Sequence, residues 1–185
     1  MLRLYVTTLL VNLLLFSCVK GQTPVPAVKE KILTPTGSIH FNRSITGFKL
    51  AKKRDSTDYI YSPKGPADFS SNTPVSGFFI HLIGDGDYEK GKDFIMAYSY
   101  QAEKIFGFKN REPDKDTIID INNVKTFLIR FKGTIKSNNK TCLVTLATMS
   151  DEKNTVAFIG CDMDGGKYSE KFIQTIRSIE LSKLQ

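Results

Sequence analysis

The stretch that decides the fold class is Val124-Lys-Thr-Phe-Leu-Ile-Arg-Phe-Lys-Gly-Thr-Ile135. Its apolar side chains Phe127, Ile129 and Phe131 alternate with polar ones. Alternate side chains of a strand lie on opposite faces of its sheet. The pattern therefore predicts a strand with one buried face.

Two more strands are predicted directly afterwards, over residues 141–149 and 155–161. They flank Ser150-Asp-Glu-Lys-Asn154, a connection of hairpin length. Consecutive strands joined by short connections pair antiparallel. This half of the chain therefore predicts an antiparallel sheet.

Two segments show helical spacing instead. From Asp93 to Phe106 apolar residues recur every three or four positions, and Gly107 ends the predicted helix. A closing helix is predicted where apolar residues stand at steps of four, four and three: Tyr168, Phe172, Ile176 and Ile179. With shorter strands predicted over 38–41, 47–51, 58–61 and 75–83, the order indicates an α+β fold with a single antiparallel sheet flanked by helices.

The second half of the chain resembles PsbP-like domains, which include extrinsic photosystem proteins and related envelope lipoproteins. The resemblance lies in four segments: Asn123-Val-Lys-Thr-Phe-Leu-Ile-Arg-Phe131, Leu143-Val-Thr-Leu-Ala147, Val156-Ala-Phe-Ile159 and Phe172-Ile-Gln-Thr-Ile-Arg-Ser-Ile179. It implies an antiparallel sheet flanked by helices and a non-enzymatic binding or assembly role. The family supplies no catalytic residues to carry over.

Composition bounds the chain to one globular domain. Its 185 residues are 41% hydrophobic and 24% charged, which is enough to build a core and is unlike a disordered tail. The formal charge of +7 favours anionic partners.

The N terminus resembles an export signal. Arg3 precedes an apolar run that is too short to span a bilayer, and Leu15-Phe16-Ser17-Cys18 resembles the lipobox of bacterial lipoproteins. We therefore expect a signal peptide over residues 1–17, an acylated Cys18 followed by a tether over residues 18–36, and one domain over residues 37–185. The alternative is cleavage after Gly21, which would release a secreted protein.

Enzyme motifs are missing from the sequence. It has no Gly-x-Ser-x-Gly elbow, His-Glu-x-x-His pair, phosphate-binding Gly-rich loop or Cys-x-x-Cys. The histidines are His40 and His81, and His81 shares a strand face with Phe79 and Ile83. A hydrogen-bonded core or edge histidine is the better interpretation of His81 than a metal ligand or general base.

One acidic loop has spacing that suits a cation. Asp85, Asp87 and Glu89 stand at alternate positions and offer oxygen ligands of the kind that Ca²⁺ prefers, and Asp162 with Asp164 offers two more in a second loop. Asp beside Gly is equally typical of ordinary turns. A Ca²⁺-dependent ligand binder or a small envelope enzyme is therefore the alternative function, and otherwise no cofactor is expected.

Basic residues concentrate in two places. Arg130, Lys132 and Lys136 share strand parity in a stretch, residues 121–150, that contains no Asp or Glu. A second group follows Phe48: Lys49, Lys52, Lys53 and Arg54. Each group is either a solvated face or a contact for anionic lipid headgroups or another acidic envelope partner. The export signal argues against nucleic acid.

Cys142 and Cys161 remain as a pair once Cys18 is acylated. If Ser150–Lys153 forms the turn, the two stand directly opposite each other and are close enough to bond, whereas a turn shifted by one residue would make them diagonal and forbid the bond. Two reduced, buried cysteines are the alternative. Taken together, the sequence favours a lipid-anchored, non-enzymatic accessory or binding protein of the bacterial cell envelope.

Overall fold

The computed structural model describes residues 27–70, 75–84, 86–101, 104, 107–113, 117–151 and 153–183. The predicted signal peptide, Cys18 and Asp85 lie outside these residues. So do residues 102, 103, 105 and 106, in the last part of the helix predicted to end at Phe106.

The described residues form eleven strands. In chain order they are β1 (Lys29–Thr34), β2 (Gly37–Asn42), β3 (Lys49–Arg54), β4 (Asp58–Ser62), β5 (Gly77–Gly84), β6 (Phe108–Pro113), β7 (Thr117–Ile121), β8 (Val124–Ile135), β9 (Thr141–Ser150), β10 (Thr155–Asp162) and β11 (Glu180–Lys183). Short 3-10 turns at Arg43–Ile45 and Gly65–Ser70 precede β3 and follow β4.

Two helices accompany the strands. Helix α1 (Tyr88–Tyr100) begins where the Asp87 side chain accepts a hydrogen bond from the Lys90 backbone N–H at 3.1 Å. Helix α2 (Ser169–Arg177) is the predicted closing helix, and its buried side chains include Phe172 and Ile176.

The strands form two antiparallel sheets. The larger has the order β3-β4-β5-β10-β9-β8-β6, and β7 pairs with the other end of β8. The smaller has the order β1-β2-β11. The predicted antiparallel α+β class is confirmed, while the second sheet is an addition that the sequence pattern did not indicate.

The larger sheet is covered on both faces. Phe127 and Ile129 of β8 belong to the same hydrophobic cluster as Ile95 of α1. On the other face, Leu128 of β8 belongs to the cluster of Phe172 of α2, together with Ile39 of the small sheet. Since β8 alternates between these two clusters, one strand serves two cores.

Two boundaries differ from the prediction. Helix α1 begins at Tyr88 rather than Asp93, because Asp87 caps it five residues earlier. The predicted tether over residues 18–36 contains β1, where Ile32 is 2% exposed and pairs with Ile39. Residues 29–34 therefore belong to the folded part of the chain rather than to the tether, because Ile32 is buried and β1 forms a hairpin with β2.

Candidate functional site

A cleft lies over β8 and β9, beside the start of α2. It encloses about 250 Å³ and is lined by Arg130, Lys132, Leu143, Thr145 and Ser169, with Glu112 at its rim. Arg130 pairs with Thr145 and Lys132 with Leu143 across the two strands. Cross-strand partners share a face, so the alternation of β8 places both cations in the cleft.

Each cleft cation has a carboxylate partner. Arg130 Nη1 lies 3.5 Å from Glu170 Oε1, and Lys132 Nζ lies 2.7 Å from Glu112 Oε2. The side chains of Glu170 and Glu112 are 78% and 68% exposed. Exposed ion pairs contribute only about 0–1 kcal/mol, so an anionic group can exchange with either carboxylate at small cost.

The carboxylates of these pairs come from outside the acid-free stretch. Residues 121–150 carry no acid, but the fold supplies Glu112 from β6 and Glu170 from α2. Arg130 and Lys132 share one face of β8, and each has a carboxylate within ion-pair distance. Lys136 is exposed beyond the end of β8 and does not line the cleft.

The start of α2 is fixed beside the cleft by a buried carboxylate. Asp162 is 0% exposed and accepts hydrogen bonds from the backbone N–H groups of Tyr168 at 2.7 Å and Ser169 at 2.9 Å. Asp162 thus caps a helix whose Tyr168 supplies no side-chain cap. Sequence reasoning considered Asp162 only as a cation ligand, because the capped helix begins seven residues later.

The acidic loop does not assemble a cation site in the described residues. The Asp87 carboxylate caps α1, and Glu89 lies 3.8 Å from the Lys92 ammonium with its side chain 68% exposed. Within the part of the chain that the structure describes, no three His, Cys, Asp or Glu side chains come together as a metal site. Asp85 falls outside that part, so its participation stays a prediction.

His81 is hydrogen-bonded at the flank of α1. Its Nδ1 lies 2.5 Å from Asp58 Oδ1, and its ring stacks on Phe94 with centroids 4.9 Å apart. An Asp-oriented imidazole is one part of a general-base arrangement. Among the described side chains no Ser, Thr or Cys is hydrogen-bonded to His81.

Cys142 and Cys161 form a disulfide, but they do not stand directly opposite each other on β9 and β10. Cys161 pairs with Val144, so the two cysteines are diagonal, with Cα atoms 6.4 Å apart. The turn is shifted by one residue because Asp151 Oδ1 accepts the N–H groups of Lys153 and Asn154. The expectation that this shift forbids the bond is wrong, since the Cα separation is within the disulfide range of about 4.4–6.8 Å.

Comparison with known proteins identifies the fold. The sequence matches no protein-family model and no curated protein. The solution structure of cyanobacterial PsbP (CyanoP) from Synechocystis superposes with a TM-score of 0.51 at 8% identity, covering 87% of this chain and 96% of that one. The fold is PsbP-like.

Two further structures are similar at lower scores. The Ran-binding protein Mog1p of Saccharomyces cerevisiae has a TM-score of 0.47 at 10% identity, covering 84% of this chain and 96% of its own. A Bacteroides thetaiotaomicron crystal structure has a TM-score of 0.49 at 12% identity, and 78% of this chain spans 45% of that longer one. Across the described part of this PsbP-like fold, no helix is both long and apolar enough to cross a bilayer.

Proposed function

We propose that this protein is a lipid-anchored, non-enzymatic binding protein of the bacterial cell envelope that holds an anionic group of a partner in the cleft beside α2. The observation that carries the proposal is the cleft itself, where each of two cations is paired with a carboxylate that is largely exposed to solvent. Such a site favours exchange of one anion for another.

The cleft chemistry suits a carboxylate or a phosphate. The Arg130 guanidinium can donate two parallel hydrogen bonds to either group, and Lys132 adds a second positive charge. Ser169 and Thr145 line the same cleft and carry hydroxyl groups. The buried Asp162 holds the Ser169 backbone in place, so the site is preorganised on one side.

The envelope part of the proposal is supported by the N-terminal sequence and by the cysteines. The lipobox-like Leu15-Phe16-Ser17-Cys18 follows an apolar run. Disulfides persist mainly in oxidising compartments, and Cys142 is bonded to Cys161.

Site-specific photo-crosslinking in intact cells tests the cleft. A photoreactive amino acid replaces half-buried Leu143 in the cleft, or Leu33 on β1 as the matched control, because Leu33 is 67% exposed and lies outside the cleft. We expect one discrete adduct from position 143 and none from position 33. The adduct should disappear when Arg130→Glu and Lys132→Glu are added.

Equal adducts at both positions would show non-specific collision and contradict the proposal. An adduct that survives the double charge reversal would show that the cleft binds its partner without Arg130 and Lys132. It would contradict the proposal that the bound group is anionic.

A further inference from the structure

The strand β3 is a basic edge of the large sheet. Its four cations, Lys49, Lys52, Lys53 and Arg54, are all exposed. Among the described residues none of the four has a carboxylate within ion-pair distance, which distinguishes them from Arg130 and Lys132. The cations of β3 therefore form a basic surface without carboxylate partners among the described residues, whereas the cleft cations are paired.

A bulge brings three of these cations onto one face. The register with β4 shifts between Leu50 and Lys52, so that Lys49, Lys52 and Arg54 stand opposite Ser62, Ile60 and Asp58. Those three partners alternate along β4 and therefore share a face. Without the bulge, Lys49 and Lys52 would point to opposite faces.

We call Lys49, Lys52 and Arg54 the β3 cation row. It extends over about 14 Å, because its ends stand opposite Ser62 and Asp58, which are four residue steps of roughly 3.4 Å apart on β4. Asp58, the β4 residue opposite Arg54, is hydrogen-bonded to His81. Lys53 points to the other face, with its ammonium 5.1 Å from the centre of the Tyr59 ring.

We propose that the β3 cation row binds an anionic lipid surface, so that the domain lies with this edge against the membrane. The inference rests on the proposed anchoring at Cys18. Ten residue-to-residue steps separate Cys18 from Val28, and they can span at most about 36 Å.

The chain path keeps β3 close to the end of that tether. The Arg43 backbone N–H donates to the Val28 carbonyl at 3.0 Å, and Lys49 follows Arg43 by six residues, so the Lys49 backbone lies within about 25 Å of Val28. Lys136 is less well placed. Ala27 and Asn122 border the same cavity, and the 12 residues of β8 carry the chain roughly 36 Å from there before Lys136.

This orientation is compatible with the proposed cleft. Five strand spacings separate β3 from β8, which is about 24 Å across the sheet. With β3 against the lipid, the cleft on β8 and β9 lies about that distance from the membrane-facing edge and stays open to a partner.

Vesicle sedimentation tests the row on the chain that begins at residue 18 and carries Cys18→Ser, so that no acyl chain contributes. The vesicles are phosphatidylcholine alone or phosphatidylcholine mixed with phosphatidylglycerol. The test variant is Lys52→Gln with Arg54→Gln. The matched control, Lys29→Gln with Lys92→Gln, removes the same charge from two cations that are paired with Glu180 and Glu89 and lie outside both β3 and the cleft.

We expect binding to the anionic vesicles only. Each cation near such a surface strengthens binding about fivefold, so the test variant should bind roughly 25-fold more weakly. The control variant should stay within about threefold of the parent, because its cations are already paired. Circular dichroism of both variants establishes that the fold is intact.

Four results would overturn the inference: equal losses in the two variants, full vesicle binding by the test variant, equal binding to neutral vesicles, or no vesicle binding at all. In the last case, binding of polyglutamate would identify an acidic protein segment as the occupant of β3. If the test variant keeps full vesicle binding but self-associates, the lysines act instead as protection against edge-to-edge pairing. None of these results bears on acylation of Cys18, which a mass measurement decides separately.

Discussion

Gly91 of α1 lies directly against Thr148 of β9, with no space for a side chain between helix and sheet. A Cβ on Gly91 would collide with Thr148 Oγ1 and would lie 2.6 Å from Thr155 Cγ2. This contact brings the α1 backbone down onto the sheet, and Ile95, one turn later, is 0% exposed. A glycine inside a helix is therefore a packing requirement here.

The substitution Gly91→Ala should destabilise the protein although alanine is the better helix former. We expect a loss of about 1–3 kcal/mol in the free energy of unfolding, because the helix must lift from the sheet. Urea denaturation measures it. On the exposed side of the same helix, Ala97→Gly should cost about 1 kcal/mol through propensity alone. A stabilised Gly91→Ala variant would contradict the close contact.

Replacing Asp162 should loosen the start of α2. Asp162→Ala leaves the backbone N–H groups of Tyr168 and Ser169 without their acceptor, and we expect a loss of about 2–3 kcal/mol. Asp164→Ala is the control, because Asp164 accepts from Ser76 Oγ and should cost only about 1 kcal/mol. Equal losses in the two variants would show that the Asp162 cap contributes no more to stability than the single hydrogen bond of Asp164.

Stability should fall in alkaline solution, in part through Tyr98. Burial, and secondarily the Asp58 carboxylate, raises the pKa of Tyr98 above its ordinary value of 10.0. The folded state then keeps a proton that the unfolded state releases, so the free energy of unfolding decreases as the pH rises above about 10. Urea denaturation at pH about 9 and about 11 should show a smaller decrease for Tyr98→Phe than for the parent. Identical decreases would exclude Tyr98 as a contributor.

The bond between Cys142 and Cys161 should contribute to stability. Their separation of 19 residues corresponds to roughly 3 kcal/mol in the chain-entropy model. Thiol titration of exported, denatured protein should find neither cysteine free, and reduction should lower the free energy of unfolding by that amount. Two free thiols would contradict the bond.

Much of the fold follows from periodicity. The alternation at Phe127, Ile129 and Phe131 predicts β8, and the spacing from Tyr168 to Ile179 predicts α2, because each segment has one strongly apolar face. Strands β1 and β11 have little such signal. Among the residues of β1 only Ile32 is buried, so its place depends on pairing with β2 rather than on its own pattern.

The candidate site was predictable only in part. Strand parity places Arg130 and Lys132 on one face, but their partners Glu112 and Glu170 come from other elements and no local pattern shows them. The β3 cation row could not be predicted from the sequence, for a different reason. Simple alternation puts Lys49 and Lys52 on opposite faces, and the bulge that reunites them appears only in the pairing with β4.

The most direct test of an envelope-anchored binding protein is the intact mass of the protein extracted from bacterial membranes. We predict a chain that begins at Cys18 and carries several acyl chains, since one chain alone would bind only marginally. Cys18→Ser should abolish the added mass and release the protein from the membrane fraction under high salt. A soluble, unacylated product beginning at Gln22 would contradict the account.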